Sequence, residues 1–367
     1  MDWKEPLRRA STRKRLHAVL SVGCAILAAG CARAAGVPEP LWAYGFATPP
    51  APDTKPSPQL PQPHLRNLRA DEPAEEQTRM RKVKGSLAAF SEIDIRDGGN
   101  VADWFPGDHP PLTRILSNGP ARLGRNSWGC AFCHLPTGKG RPENAPVSGQ
   151  TTAYFLQQLE DFKNGDRTSA DPRKLNTPLM ASLAGAMSEG EMREAAEFFG
   201  SMKWTPWIRV VETDLVPTTR IVGNLFIATS TARTEPIAGR IIEVPEDEEQ
   251  SEVLRNPRSG FVAYVPIGSI KRGELLATTG AASVGGTRVA GRTLACITCH
   301  GPNLMGMADT PGIAGRSPSY LVRQMYDFQR GTRRGKMSPL MQPAVAHLTN
   351  EDMADLAAYV ASLVPPG

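Results

Sequence analysis

The sequence predicts a mainly α protein: two copies of one helical unit with a β-rich insertion between them. Three observations carry that prediction. A five-residue motif recurs after 166 residues, the segments after each copy keep helical apolar spacing, and the stretch between the copies turns to β-branched residues broken by Pro and Gly. With 367 residues, 40% of them hydrophobic and 22% charged, the chain has the composition of an ordinary globular protein of two or three modest domains.

The N-terminus reads as an export leader. "KEPLRRASTRKRLH" is a positive region, "AVLSVGCAILAAG" an apolar run too short for a comfortable membrane span, and "ARAA" offers a cleavage site after Ala34. Lipidation of Cys31 at "LAAGC", or an uncleaved anchor, are the alternatives. The whole chain is formally +5, yet 35 of its 42 basic and 35 of its 37 acidic residues lie beyond residue 34. The exported part is therefore formally neutral, which argues against a nucleic-acid partner. A Pro-rich stretch with "ATPPAPDTKPSPQLPQPH" follows and predicts an extended, mobile tether. The predicted order is a signal peptide or anchor at 1–34, a Pro-rich linker at 35–78, a first helical domain at 79–204, the β-rich insertion at 205–270 and a second helical domain at 271–367.

"CAFCH" (130–134) recurs as "CITCH" (296–300), and the likeness runs on well past the motif. "SGQTTAYFLQQLEDFKNGDR" (148–167) lies without gaps on "AGRSPSYLVRQMYDFQRGTR" (314–333). After a shift of five residues, "TPLMASLAGAMSEGEMREAAEFFGSM" (177–202) aligns with "SPLMQPAVAHLTNEDMADLAAYVASL" (338–363). A period this long excludes a solenoid and marks one ancestral unit used twice. In the second copy Tyr320, Leu321, Met325 and Phe328 fall at helical spacing, with Gly331 as the stop. Thr349 is placed as N-cap with Asp352 three residues on, ahead of a stripe of Met353, Leu356, Ala357 and Val360. Ser188 and Glu191 repeat that design in the first copy. Between the copies, "WIRVVETDLVP", "GRIIEVPEDEE" and "GFVAYVPIGSI" read as short strands.

Each cysteine pair outside the leader, Cys130/Cys133 and Cys296/Cys299, is spaced C-x-x-C and followed at once by a histidine, His134 or His300. A Cys₄ zinc site would leave both histidines unexplained, and a redox dithiol lacks its βαβ context. C-x-x-C-H attaches a c-type haem: the thiols form thioethers to the porphyrin and the adjacent imidazole reaches iron. Two copies predict two covalently bound haem c groups. A sixth ligand should be Met or His, and Met180 and Met341 occupy the same place in both copies, in "PLM" segments read as loops stiffened by Pro178 and Pro339. Met187 and His347 match each other in position but not in type, leaving His347 as the minority choice. Met337, His64 and His109 have no repeat partner and read as structural. The shared Tyr154/Tyr320, Phe162/Phe328 and Arg167/Arg333 read as packing around the haem and surface contacts, with an Arg–propionate pair as a further option.

With these residues in view, each repeat resembles a class I cytochrome c domain, and the pair resembles the tandem dihaem cytochromes c of bacterial respiratory chains. The resemblance rests on "CITCHG", where the first copy has Leu135 in place of Gly301, on "AGRSPSYLVRQMYDFQRGTR" and on the closing "LTNEDMADLAAY"; it covers about 118–204 and 272–364. It implies a helix before each motif, in "LTRILSNG" and "GSIKRGELLATTG", crossing the last helix near Phe198 and Tyr359. It also implies a periplasmic carrier of single electrons between redox proteins (a dehydrogenase, an oxidase or a small cytochrome). The insertion would then build a docking face, and any membrane attachment would lie at the N-terminus. A dihaem enzyme of the peroxidase or thiosulfate-dehydrogenase kind, with one catalytic haem, is the competing class. A binding or scaffolding protein centred on the insertion is a third. The insertion and the N-terminal extension depart from the family pattern and leave the mutual placement of the two haem units unassigned.

Overall fold

A computed structural model describes residues 37–55 and 73–364. The predicted leader at 1–34 and the middle of the Pro-rich segment lie outside the described residues.

In the second repeat the Ser269–Thr279 helix runs between two left-handed glycines, Gly268 and Gly280. It crosses the Asn350–Ser362 helix at Gly273, where a Cβ would overlap the Asp355 carbonyl oxygen. Arg272 locks the crossing with a two-pronged bond to the Asp355 carboxylate at 2.7 and 2.8 Å. Thr349 and Asp352 cap the last helix reciprocally, as Ser188 and Glu191 do for Glu189–Gly200 in the first repeat. Between these ends lie Ile297–His300, Pro318–Gln329 and Ser338–Val345. The first repeat follows the same order with Cys130–His134, Thr152–Lys163, Asn176–Ala186 and Glu189–Gly200 around a core that includes Leu116, Leu159, Met192 and Phe199. Its opening helix, expected from "LTRILSNG", is a single turn, Arg114–Ser117. Pro110 and Pro111 precede it and Gly119, at φ +84°, stops it, so one turn is all the chain allows.

The two repeats meet along a pseudo-symmetric seam. Arg167 and Arg333 form an antiparallel bridge, with Thr168 N–H donating to Thr332 O and Arg334 N–H to Asp166 O, both at 2.8 Å.

The segment between the repeats holds β1 (Ile208–Glu212), β2 (Leu215–Val222), β3 (Leu225–Pro236), β4 (Ile242–Pro245) and β5 (Phe261–Val265). β1, β5 and β4 make one sheet in that order, β1 parallel and β4 antiparallel to β5. β2 and β3 pair as a hairpin. Its two-residue turn, Gly223–Asn224, has positive φ at both positions, as a tight hairpin of matching twist requires. This segment is built into the haem repeats. Glu243 on β4 is buried, and its Oε2 accepts the Ser317 hydroxyl and the Ser319 N–H, each at 2.8 Å, at the start of the Pro318–Gln329 helix. Val253 and Leu254 pack with Val83, Ile95, Trp104 and Phe105, which precede the first haem motif.

Part of the expected mobile linker at 35–78 is instead docked. Leu41–Tyr44 forms a helical turn, Tyr44 is fully buried, and its hydroxyl donates to Asp327 Oδ1 at 2.7 Å. Arg323 donates to Ala43 O at 2.6 Å, and the Arg173 guanidinium stacks 3.8 Å from the Phe46 ring centroid. The aromatic anchors override the extended preference of the flanking prolines. Burial, together with neighbouring Asp171 and Asp327, raises the Glu39 carboxyl to about 7, against a smaller opposing effect of Arg173. A carboxyl raised on folding stabilises fully below its unfolded value near 4.5, and that contribution is lost as pH rises through about 7. The strap is therefore expected to loosen as pH rises from about 4.5 to about 7. Amide exchange at Ala43 and Tyr44, corrected for the intrinsic pH effect, should accelerate over that window in the wild type. The acceleration should be smaller in Glu39→Gln, where the buried Asp327 that accepts from Tyr44 is the carboxyl left to titrate; equal pH dependence in both proteins would refute the assignment.

Candidate haem centres

Both C-x-x-C-H motifs open onto one cavity of about 570 Å3, lined by Cys130, Cys133, His134 and Met180 from one repeat and by Cys296, Cys299, His300 and Met341 from the other. The two haem units therefore face each other across a common space, which settles the placement that the insertion had left unassigned.

The motifs are held alike. His134 Nδ1 lies 2.8 Å from Ala145 O, and His300 Nδ1 lies 2.8 Å from Pro311 O, each carbonyl eleven residues after its histidine. Because a carbonyl only accepts, Nδ1 carries the proton in both rings and Nε2 keeps its lone pair. The backbone oxygens of His134 and His300 accept from Gly140 and Gly306 at 2.8 and 2.9 Å, which ties each loop back to its motif. Burial depresses both imidazoles below the ordinary histidine range, which keeps them neutral donors of electron pairs. Among the described residues all four cysteines, two in each motif, are free. Burial raises Cys130 to about 12 and Cys296 to about 11, so these thiols rest protonated.

The copies differ just past the histidine. Gly301 sits at φ 82°, ψ 160°, a region open to glycine, and Leu135 occupies the same region at φ 60°, ψ 155°. Leu135 is buried and held in that strained conformation beside the insertion. There Arg255 donates to Phe132 O and lies 4.4 Å from the Phe132 ring centroid, and Arg141 pairs with Glu143 and Glu252. In the second motif Cys299 is exposed.

Met180 and Met341 both line the cavity, but on the helices Asn176–Ala186 and Ser338–Val345 rather than in loops. Pro178 and Pro339 sit in the first turn of each helix, where proline is tolerated. His347 is exposed and Met187 belongs to the first repeat's core, while Met337 sits half-exposed at the cavity wall. His109 bonds Pro110 O and Asp103, and His64 lies outside the described residues.

The shared Tyr and Arg residues are not surface contacts: they cross between the repeats. Arg167 donates to its own Gln158 and to Tyr320 Oη and Gln324 of the other repeat at 2.8–3.0 Å. Arg333 mirrors it onto Gln324, Tyr154 and Gln158 at 2.7–3.1 Å. Residues that sequence reasoning missed also line the cavity: Lys174, Arg316 and Arg323. Lys174 Nζ and Arg316 Nε are buried without a hydrogen-bond partner. Burial and the nearby Arg323 push the Lys174 ammonium well below its usual value. Lys174, whose amine nitrogen is buried on this wall with no partner, fits an anionic carboxylate, and the thiols and Nε2 lone pairs fit thioether and iron bonds, so the residues present suit haem c. Among the described residues, no three His, Cys, Asp or Glu side chains converge to hold a bare metal ion.

Residues 286–364 match the cytochrome c family. A cytochrome c4 of Pseudomonas aeruginosa is 23% identical over 238 residues, 64% of this chain and 83% of that protein. Cytochrome c-554(548) of Halomonas halodenitrificans is 38% identical over 68 residues, 18% of this chain and 82% of that protein. A thiosulfate dehydrogenase electron acceptor of Stutzerimonas stutzeri is 40% identical over 75 residues, 20% of this chain and 33% of that protein. The chain belongs to the cytochrome c family. With its two motifs it is a dihaem c-type cytochrome that transfers electrons.

Proposed function

We propose that this chain works in the periplasm as a one-electron carrier between redox proteins, in which His134 and Met180 would hold one haem iron and His300 and Met341 the other. The carrying observation is the single cavity onto which both motifs and both aligned methionines open. Bound haem supplies a one-electron iron couple, and thioether ligation by methionine favours a high potential. The chain's own residues do the rest. Ala145 and Pro311 fix the imidazole tautomers, and the cysteines would anchor the porphyrins. With one histidine and one methionine to hold each iron, Met180 and Met341 would take the places a substrate would need, which favours a carrier over the peroxidase or dehydrogenase reading. Likeness to an electron acceptor of a thiosulfate dehydrogenase supports a periplasmic dehydrogenase as one partner. Among the described residues no helix is long and apolar enough to cross a membrane, and export or attachment is assigned to the leader at 1–34.

Met180→Ala and Met341→Ala are each expected to remove part of the long-wavelength absorption band of methionine-ligated ferric haem. The double variant should lose it and begin to bind carbon monoxide when reduced. A double variant that keeps the band, or a reduced wild type that binds carbon monoxide tightly, would overturn the ligand assignment and favour the enzyme.

A further inference from the structure

Each histidine-backing loop is braced by the opposite repeat, and the two braces differ in charge. Loop 142–148, whose Ala145 carbonyl accepts from His134, is gripped by two arginines of the second repeat. Arg316 donates to Pro146 O at 3.2 Å and to Ser148 O at 2.9 Å, and Arg323 donates to Pro142 O at 2.7 Å. The loop whose Pro311 carbonyl accepts from His300 is held from the first repeat by Gln150, which donates to Gly312 O at 2.9 Å. Gln150 and Arg316 occupy equivalent places, each one residue after the matched Gly149 and Gly315. The same brace is thus a neutral amide in one direction and a cation in the other.

Arg316 is 4% exposed and Arg323 5% exposed. Arg316 stacks 4.0 Å from the Trp204 ring centroid, and burial pushes it down to about 10, so it stays charged at neutral pH. Arg323 has Glu243 and Asp327 nearby, whereas the polar groups acting on Arg316 are the phenols of Tyr320 and Tyr154. Arg316 is therefore the less compensated of the two buried charges. Through space, a cation on the wall of the shared cavity favours the reduced, less positive iron at either site, so what singles out the first site is the contact with its loop. Through the loop, a guanidinium on peptides adjoining Ala145 weakens that carbonyl's pull on the Nδ1 proton, leaving the imidazole a poorer donor to ferric iron.

We infer that Arg316 is a positioning residue for His134 that makes the first repeat's haem the more easily reduced of the two, while neutral Gln150 leaves the second haem lower. This rests on the reading of His134 and His300 as the iron ligands. An electron entering the protein then settles on the first repeat, the side covered by the insertion.

The test uses the two-haem protein and spectroelectrochemical titration. Potentials are assigned to repeats by nuclear Overhauser contacts from each haem to Leu159 or Leu356. Arg316→Gln is expected to change the reduction equilibrium of the first haem by about tenfold toward the oxidised form, about 59 mV for a one-electron couple. The second haem should move less, and Arg316→Lys, which keeps the charge, should recover most of the shift. An unmoved first haem, or equal falls at both haems, would overturn the inference. Should Arg316→Gln fail to fold, Gln150→Arg carries the same test: it should raise the second haem, and no rise refutes the idea. The ligand reading fails separately, if His134→Ala keeps the wild-type low-spin spectrum.

Discussion

Arg167→Ala is expected to cost roughly 3 kcal/mol or more of unfolding free energy, measured by chemical denaturation of the holoprotein. The side chain is buried, makes three hydrogen bonds and lies 4.6 Å from the Phe162 ring centroid. Its removal leaves Tyr320 Oη without its guanidinium donor and takes one bond each from Gln324 and Gln158, all half-buried between the repeats. Lysine should not rescue it, because a single ammonium cannot span three acceptors on two helices. Arg167 and Arg333 share Gln158 and Gln324, so the double alanine variant should lose less than the sum of the single losses. Simple additivity, or a loss below about 1 kcal/mol for Arg167→Ala, would show that the cluster does not hold the repeats together.

Gly273→Ala is the second large effect. The Ser269–Thr279 and Asn350–Ser362 helices cross so closely there that a Cβ overlaps the Asp355 carbonyl oxygen and comes 2.8 Å from Tyr359 Cβ. Both neighbours are anchored, one by the helix backbone and one by its own main chain, so the helices must part. Overpacking of this kind costs roughly 3 kcal/mol. The separation should also loosen the pocket behind the second motif, because Leu356 and Ala357 on the same helix line the cavity. The expected result is a lower melting temperature together with broadened haem resonances from the second repeat alone. A variant as stable as wild type would mean that the crossing is looser than described.

How much of this could be read in advance follows from how local each feature is. The motifs, the capping pairs Ser188/Glu191 and Thr349/Asp352 and the aligned Met180 and Met341 are written within a few residues of one another. The doubled sequence supplied the comparison that picked them out. The cross-braces were not readable, because Arg316 and Arg323 act on main-chain oxygens of Pro142, Pro146 and Ser148, which leave no side-chain signature. A signal did exist: Gln150/Arg316 and Gln157/Arg323 are mismatches inside an otherwise close alignment, and a charge gained in one copy at a buried position calls for a cause. The docking of 38–46 was hidden by composition, since prolines advertise an extended chain while the anchoring depends on Tyr44 finding Asp327, 283 residues away. The Met-bearing segments were misread as loops for a related reason, proline at a first helical turn being compatible with either state.

The reciprocal bracing has a consequence for how the molecule is made. Chains emerge N-terminus first, and Arg316 follows Pro146, the peptide it grips, by 170 residues. The first motif thus emerges, open to haem attachment, before its final brace exists, while the Gln150 that supports the second motif is already waiting. Attachment at the first site must therefore tolerate an unfinished loop, whereas the second site can close as soon as its own residues arrive. Maturation acquires a built-in order, with the second repeat acting as the clasp that completes the first.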